Sequence, residues 1–61
     1  MYIINNKGEI FNTDCIREIT TNGNHTLAVW DSNPRVISYR AEALKTIGNA
    51  LRNNATIVEV E

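Results

Sequence analysis

The segment from Arg40 to Asn53 carries apolar residues at helical spacing over three turns. Leu44, Ile47, Gly48 and Leu51 fall at positions i, i+3, i+4 and i+7, which predicts an amphipathic helix over about residues 40–53. We expect Leu44, Ile47 and Leu51 to enter the core. Gly48 costs about 1 kcal/mol relative to alanine inside a helix, and a close crossing of the helix over a strand would explain it. Asn53-Asn54 predicts a left-handed C-terminal stop.

Short apolar segments separated by turn residues surround this helix and predict strands. The expected strands are Tyr2–Ile4, Glu9–Asn12, Ile16–Thr21, Thr26–Asp31, Arg35–Tyr39 and Thr56–Glu61. Asn5-Asn6-Lys7-Gly8 predicts a four-residue hairpin turn, Asn22-Gly23 a type I′ turn, and residues 31–34 a further turn. The expected fold is a single α+β domain over residues 1–61. It comprises an antiparallel β-meander of four to five short strands, one helix packed on the sheet, and a C-terminal strand.

The shortness of the chain limits its core. A domain of 61 residues buries only about 60% of the surface that its unfolded chain exposes. Cys15 is the single cysteine, so no disulfide can form within the chain, and Cys15 and His25 alone are too few soft ligands for a metal site. We therefore expect no cofactor and no metal. We expect instead a homo-oligomer, with a dimer favoured, because small cores are often supplemented by a partner surface and a sheet edge is a template for pairing.

Charge and hydropathy restrict the class of partner. The formal net charge is −1, so nucleic-acid binding would require the basic residues to be segregated on one face. No apolar run reaches the roughly 18 residues of a membrane span. The N-terminal Met1–Ile4 has no basic flank of the kind that signal peptides carry. The sequence predicts a cytoplasmic protein with no membrane partner.

Catalytic residue patterns are sparse. The one alternative is a Cys15–His25 pair acting on an acyl group, since the strands that would carry them are adjacent across the Asn22-Gly23 hairpin. No sequence signature accompanies this pair, and a free cysteine is commonly a buried one. The three glycines are isolated and form no phosphate-binding loop. We therefore predict a protein that is not an enzyme and has no catalytic residues.

Two groups of residues are candidates for binding. The first brings two aromatic rings and two guanidinium groups to one end of the meander, and these side chains are enriched at interface hot spots. It comprises Trp30, Asp31, Arg35, Tyr39 and Arg40. The second is the polar helix face, which would meet an acidic partner or nucleic acid. It comprises Arg40, Lys45, Asn49 and Arg52. The alternatives are that Trp30 is a core residue and that the charged side chains are simply solvated.

The chain from Asp14 onward resembles the LytTR-type DNA-binding domain. The features are Asp14-x-Ile16-x-x-Ile19, a polar hairpin, Leu44-x-x-Ile47-x-x-x-Leu51, and a closing strand Thr56–Val60. The closing segment of that family is basic, whereas this one reads Ile57-Val58-Glu59-Val60-Glu61, so the resemblance assigns no DNA-contacting residue. In general type the chain also resembles the tiny β-rich accessory proteins of phages and mobile elements.

Three functional hypotheses follow from the sequence. The first is a non-catalytic, self-associating protein-binding module, a phage-type accessory protein that inhibits or sequesters a host component. The second is a small DNA-binding regulator that uses the polar helix face. The third is a sponge for a nucleotide-like ligand at a dimer cleft, where Trp30 or Tyr39 would stack on a base.

Overall fold

The computed structural model describes residues 1–31 and 33–61, and it has the α+β class expected from the sequence. The strands are β1 (Tyr2–Ile4), β2 (Ile10–Asn12), β3 (Glu18–Asn22), β4 (His25–Val29), β5 (Pro34–Ser38) and β6 (Ile57–Glu59). A short 3₁₀ helix (Thr13–Cys15) precedes β3, and the helix α1 (Glu42–Arg52) precedes β6. The strands form two three-stranded sheets rather than one continuous meander.

The first sheet has the strand order β2-β1-β6. β1 and β2 form an antiparallel hairpin whose turn is the expected one, with Gly8 at φ +80°. β6 lies on the other side of β1 and runs parallel to it, so that Tyr2 is the register partner of Ile57. The expected antiparallel meander pairs strands that follow one another in the sequence. Parallel pairing requires a long crossover connection, and here all the elements from β2 to α1 lie between the two strands.

The second sheet, β3-β4-β5, is an antiparallel meander. Its first turn differs from the expected Asn22-Gly23 type I′ turn. Asn22 pairs with His25, so the two loop residues are Gly23 and Asn24, and of these Gly23 alone has a positive φ, at +65°. A positive φ confined to the first loop position is the pattern of a type II′ turn. The turn expected over residues 31–34 includes residue 32, which lies outside the described residues.

The inner faces of the two sheets and one side of α1 enclose a small core. Its buried apolar residues are Ile3, Phe11, Ala28, Ile37, Ala43, Ile47 and Val60. The expected place of Leu51 in this core was wrong, since Leu51 is 52% exposed. The centre of the buried side of α1 lies between Ala43 and Ile47, and Leu51 is rotated away from it toward β3. Apart from the neighbouring backbone of α1 itself, no described atom lies within 4 Å of a Cβ built on Gly48, so a close crossing over a strand does not explain this glycine.

Both ends of α1 are held by specific contacts. The hydroxyl of the buried Thr26 donates to the carbonyl of Arg40 at 2.7 Å, which fixes the chain as it enters the helix. Asn54 has φ +56°, so the expected left-handed stop after the helix is confirmed. At 11 residues, α1 is shorter than the segment proposed from the sequence.

No helix in residues 1–31 and 33–61 is long and apolar enough to cross a membrane.

Candidate interaction surfaces

The solvent side of the first sheet carries the largest exposed apolar residues of its three strands. Tyr2 is 48% exposed, Ile10 65% and Ile57 57%, and the half-buried Ile4 lies between them. Tyr2 is the register partner of Ile57, and Ile4 is the register partner of Ile10, so the four side chains are neighbours. We call this surface, Tyr2, Ile4, Ile10 and Ile57, the outer apolar face.

Alternation along the strands explains why these residues point to solvent. Ile3, Phe11 and Val58 occupy the inner side of β1, β2 and β6, which leaves the residues on either side of each of them on the outer side. The solvent side of such a sheet is normally polar. A patch of a few hundred Å² is as large as the largest apolar patch of a typical monomer, and such patches are often functional.

The sequence indicates this face, although none of its four residues was among the predicted binding residues. Tyr2-Ile3-Ile4, Ile10-Phe11 and Ile57-Val58 are apolar at both alternating positions. Uninterrupted apolar runs of this kind are typical of strands covered on both sides. Three such runs in one chain are unusual for a sheet whose outer face is exposed, as it is here.

The structure separates the predicted aromatic and guanidinium cluster into two parts. Trp30 follows β4, and Arg35 lies near the start of β5, so these residues share one end of the second sheet. Tyr39 and Arg40 follow the end of β5, which is the other end of that sheet because β4 and β5 are antiparallel. The expectation of one joint cluster was therefore wrong.

At its end of the sheet, Trp30 belongs to the margin of the core. Its ring packs against the ring of Phe11 with the centroids 5.8 Å apart. The guanidinium carbon of Arg35 lies 5.5 Å from the Trp30 ring centroid and 6.0 Å from that of Phe11. Arg35 also forms a 3.8 Å ion pair with Glu9. Asp31 is exposed, and its carbonyl accepts a 3.4 Å hydrogen bond from Arg17.

At the opposite end, Tyr39 is surrounded by polar groups. The ammonium of Lys7 lies 4.6 Å from its ring centroid and 3.4 Å from its hydroxyl. The ring of His25 meets that of Tyr39 edge-on, with the centroids 5.0 Å apart. Arg40 forms a 3.0 Å ion pair with Glu61. Base stacking of the kind expected for the nucleotide hypothesis would have to compete with these contacts.

The polar face of α1 retains two cations. Lys45, Asn49 and Arg52 are exposed, and Arg52 donates to the side-chain oxygen of Asn49 at 3.3 Å. Within the part of the chain that the structure describes, neither Lys45 nor Arg52 forms an ion pair. Arg40 is not part of this face, because it pairs with Glu61 beyond β6. The DNA-binding hypothesis therefore depends on two cations rather than on the four polar residues first expected.

An apolar groove runs between α1 and the segment that leads into β3. It has a volume of about 470 Å³, and we call it the edge groove. Its apolar lining is Ile16, Ile19, Leu44, Ile47 and Leu51, with Gly48 between them. Asp14, Arg17 and Glu18 line it on the strand side. A second, more polar groove of about 550 Å³ lies between the start of α1 and the end of the chain, and it contains the Arg40–Glu61 pair.

The structure keeps apart the two residues of the catalytic alternative. Cys15 is exposed at the end of the 3₁₀ helix, contrary to the expectation of a buried free thiol. His25 lies next to the hairpin turn at the far end of β3 and β4, so the length of a five-residue strand separates it from Cys15. Among the described residues no three His, Cys, Asp or Glu side chains are grouped as metal donors.

Comparison of the chain with protein-family models, curated proteins and solved structures gave no match. The resemblance to LytTR-type domains stays a prediction from the sequence.

Proposed function

We propose that this chain is a non-catalytic protein-binding module that self-associates as a homodimer through the outer apolar face. The observation that carries the proposal is the exposure of Tyr2, Ile10 and Ile57 together on the solvent side of one sheet. Two such faces related by a two-fold axis would stack about 10 Å apart, as the sheets of a β-sandwich do.

The size of the core supports this proposal. The folded chain has an accessible surface of 4199 Å², against roughly 10,000 Å² for an unfolded chain of this mass. Two of the seven buried apolar residues are alanines, which contribute little apolar area. Covering the outer apolar face would add apolar burial worth about 25 cal/mol per Å².

The area of the face sets the expected strength. A standard interface buries about 800 Å² per partner, whereas the outer apolar face can bury only a few hundred Å². We therefore expect a dimer with a dissociation constant on the order of tens of micromolar. Asn12 and Glu59 would lie at its rim, where polar residues are usual.

We favour the role of a phage-type accessory protein, as indicated by the sequence. Such a protein would inhibit or sequester a host component in the cytoplasm. A stoichiometric binder needs surfaces for partners but no reacting groups. Self-association through the first sheet leaves the second sheet and α1 free, so each dimer would present two copies of the remaining surfaces to a partner.

The test is sedimentation velocity across a dilution series from high to low micromolar concentration. We expect the unmodified chain to shift from dimer to monomer on dilution, and Ile10→Lys to be monomeric throughout. Ile10 is the most exposed of the large apolar residues, so this change should leave the fold intact. Val36→Lys is the matched control, because Val36 is exposed on the second sheet. A chain that is monomeric at high micromolar concentration would refute the proposal, as would equal disruption by both variants.

A further inference from the structure

We propose that the edge groove binds one extended segment of a partner protein, which adds to the second sheet as a fourth strand beside β3. Four features of the structure support this site: the free edge of β3, the exposed side of α1, Gly48 and the distribution of charge. The site is on a different face from the outer apolar face, so it does not depend on self-association.

The backbone of β3 offers hydrogen-bonding groups to such a strand. A two-residue loop makes its flanking residues, Asn22 and His25, a hydrogen-bonded pair, and pairs of this type alternate along an antiparallel ladder. The N–H and C=O groups of Ile19 and Thr21 therefore point away from β4. In residues 1–31 and 33–61 no backbone hydrogen bond outside the ladders reaches these two residues.

One side of helix α1 lines the groove next to this free edge. Leu44 and Leu51 line the groove next to Ile19, and Leu51 is 52% exposed. In a strand added beside β3, alternate side chains would point to the same side as Ile19 and Thr21. Those side chains would cover Leu44 and Leu51 and fill the groove, as occurs when an extended peptide adds to a sheet edge.

Gly48 is explained by this arrangement and not by the chain alone. It lies in the middle of α1, where glycine costs about 1 kcal/mol relative to alanine. Apart from the neighbouring backbone of α1 itself, no described atom lies within 4 Å of a Cβ built on it, so packing against the rest of the chain does not require its small size. Because Gly48 lines the groove, a backbone or side chain that enters the groove could approach α1 closely at this point.

The charges at the groove define the chemistry of the segment. Asp14, Arg17 and Glu18 lie on the strand side, which is net acidic, and none of the three forms an ion pair among the described residues. Helical geometry places Lys45 and Arg52 about 80–100° around α1 from Leu44, on the solvent side of the groove. The complementary segment alternates apolar residues with polar ones, has a lysine or arginine opposite Glu18, and carries an acidic residue toward the helix.

A second copy of β3 is a poorer occupant. Two β3 strands paired about a two-fold axis would bring the two α1 helices together, and Lys45 and Arg52 of one helix would then lie near the same residues of the other. The side of β3 that faces the groove also supplies one apolar residue, Ile19, beside Thr21. One isoleucine fills little of a groove of about 470 Å³.

The test uses the full chain and a synthetic seven-residue peptide that alternates isoleucine with lysine and threonine and ends in glutamate. Titration followed by ¹H–¹⁵N NMR should shift the amides of Ile19, Thr21 and Gly48. Hydrogen exchange at the Ile19 and Thr21 amides should slow on peptide addition, whereas exchange at Thr20, already bonded to β4, should change little. A shuffled peptide with its apolar residues adjacent is the matched ligand control.

Three variants make the test decisive. Leu51→Lys changes an exposed position and should weaken peptide binding at least about tenfold, since the charge would project into an apolar site. Thr21→Pro should abolish it by removing an outward N–H at the edge. Val36→Lys should bind like the unmodified chain. Absence of shifts at Ile19, Thr21 and Gly48 would overturn the proposal. So would protection of these amides that rises with protein concentration without peptide, because that outcome assigns the edge to a second copy.

Discussion

Asn5 donates a 3.0 Å hydrogen bond from its side-chain nitrogen to the carbonyl of Ile37, and this buried contact joins the first sheet to the second. The same nitrogen donates to a carboxylate oxygen of Glu9 at 2.8 Å. The side-chain oxygen accepts from the backbone N–H groups of Lys7 and Glu9 at 3.1 and 2.9 Å. Ile37 is the extra residue at a register shift in β5, between the partners of Thr26 and Leu27. Asn5 therefore joins its own hairpin turn to this irregular part of β5 in one network.

Replacing Asn5 with alanine should destabilise the fold by about 2–3 kcal/mol, because buried hydrogen-bonding groups lose their partners. For a domain of this size that loss corresponds to a fall in Tm of about 10 °C or more. Thermal unfolding followed by circular dichroism measures it. Asn6→Ala, in the exposed part of the same turn, should change stability by no more than about 0.5 kcal/mol. Equal effects of the two substitutions would contradict the structural role assigned to Asn5.

Thr26→Val removes a hydroxyl while keeping the shape of a fully buried side chain. The hydroxyl donates to the Arg40 carbonyl at the entrance to α1, so the substitution should cost about 1–2 kcal/mol. Thr21→Val is the control, because Thr21 lies directly opposite Thr26 in the ladder but is exposed. Urea unfolding compares the two. A loss of stability in the Thr21 variant as large as that in the Thr26 variant would count against the proposed anchoring of α1.

Arg35→Ala should cost about 1 kcal/mol through the loss of its contacts with the rings of Trp30 and Phe11. It should also make Trp30 more accessible, with red-shifted fluorescence and stronger quenching by acrylamide. Glu9→Gln removes the exposed 3.8 Å ion pair while leaving the arginine in place, and it should cost no more than about 0.5 kcal/mol. If Glu9→Gln changes the fluorescence as much as Arg35→Ala, the ion pair rather than the ring contact positions Arg35.

Gly48→Ala should stabilise the unliganded chain by about 0.5–1 kcal/mol, since a methyl group there meets open space and alanine favours the helix. Gly23→Ala also meets open space, but φ of +65° strains any residue with a Cβ, so it should destabilise by about 1 kcal/mol. Chemical unfolding of both variants measures whether each substitution raises or lowers the free energy of unfolding. Destabilisation by Gly48→Ala would show that this part of α1 is more closely packed than the groove geometry indicates.

The same Gly48→Ala variant should bind the strand peptide less tightly than the unmodified chain, by about threefold or more, because the methyl group occupies the groove. In this variant the stability of the fold should increase while the affinity for the peptide decreases. Tighter or unchanged peptide binding would remove Gly48 from the arguments for the edge groove.

Local features of this fold could be predicted from the sequence. The helical spacing of Leu44 and Ile47, the positive φ at Gly8 and the left-handed stop at Asn54 each depend on a few adjacent residues. The register of the second hairpin was misplaced by one residue, because Asn22-Gly23 and Gly23-Asn24 are both acceptable two-residue loops.

The candidate surfaces were harder to predict, because they depend on contacts between distant segments. Side chains alternate between the two faces of a sheet in parallel and antiparallel strands alike. Nothing in the sequence of Ile57–Glu59 therefore specifies that this strand pairs with β1. Without that pairing, Tyr2, Ile10 and Ile57 cannot be recognised as neighbours. Trp30 and Tyr39 are close in sequence, but the reversal of direction between β4 and β5 places them at opposite ends of the sheet.

The parallel contact between β1 and β6 also has a consequence for how the chain folds. Tyr2 and Ile57 are 55 positions apart, whereas the β3-β4-β5 meander is built from neighbouring segments. The entropy of closing the long loop must be paid before the contacts of the first sheet offset it. We therefore expect the meander to nucleate folding and the first sheet to close last. Until it closes, the apolar strands of that sheet remain exposed to aggregation.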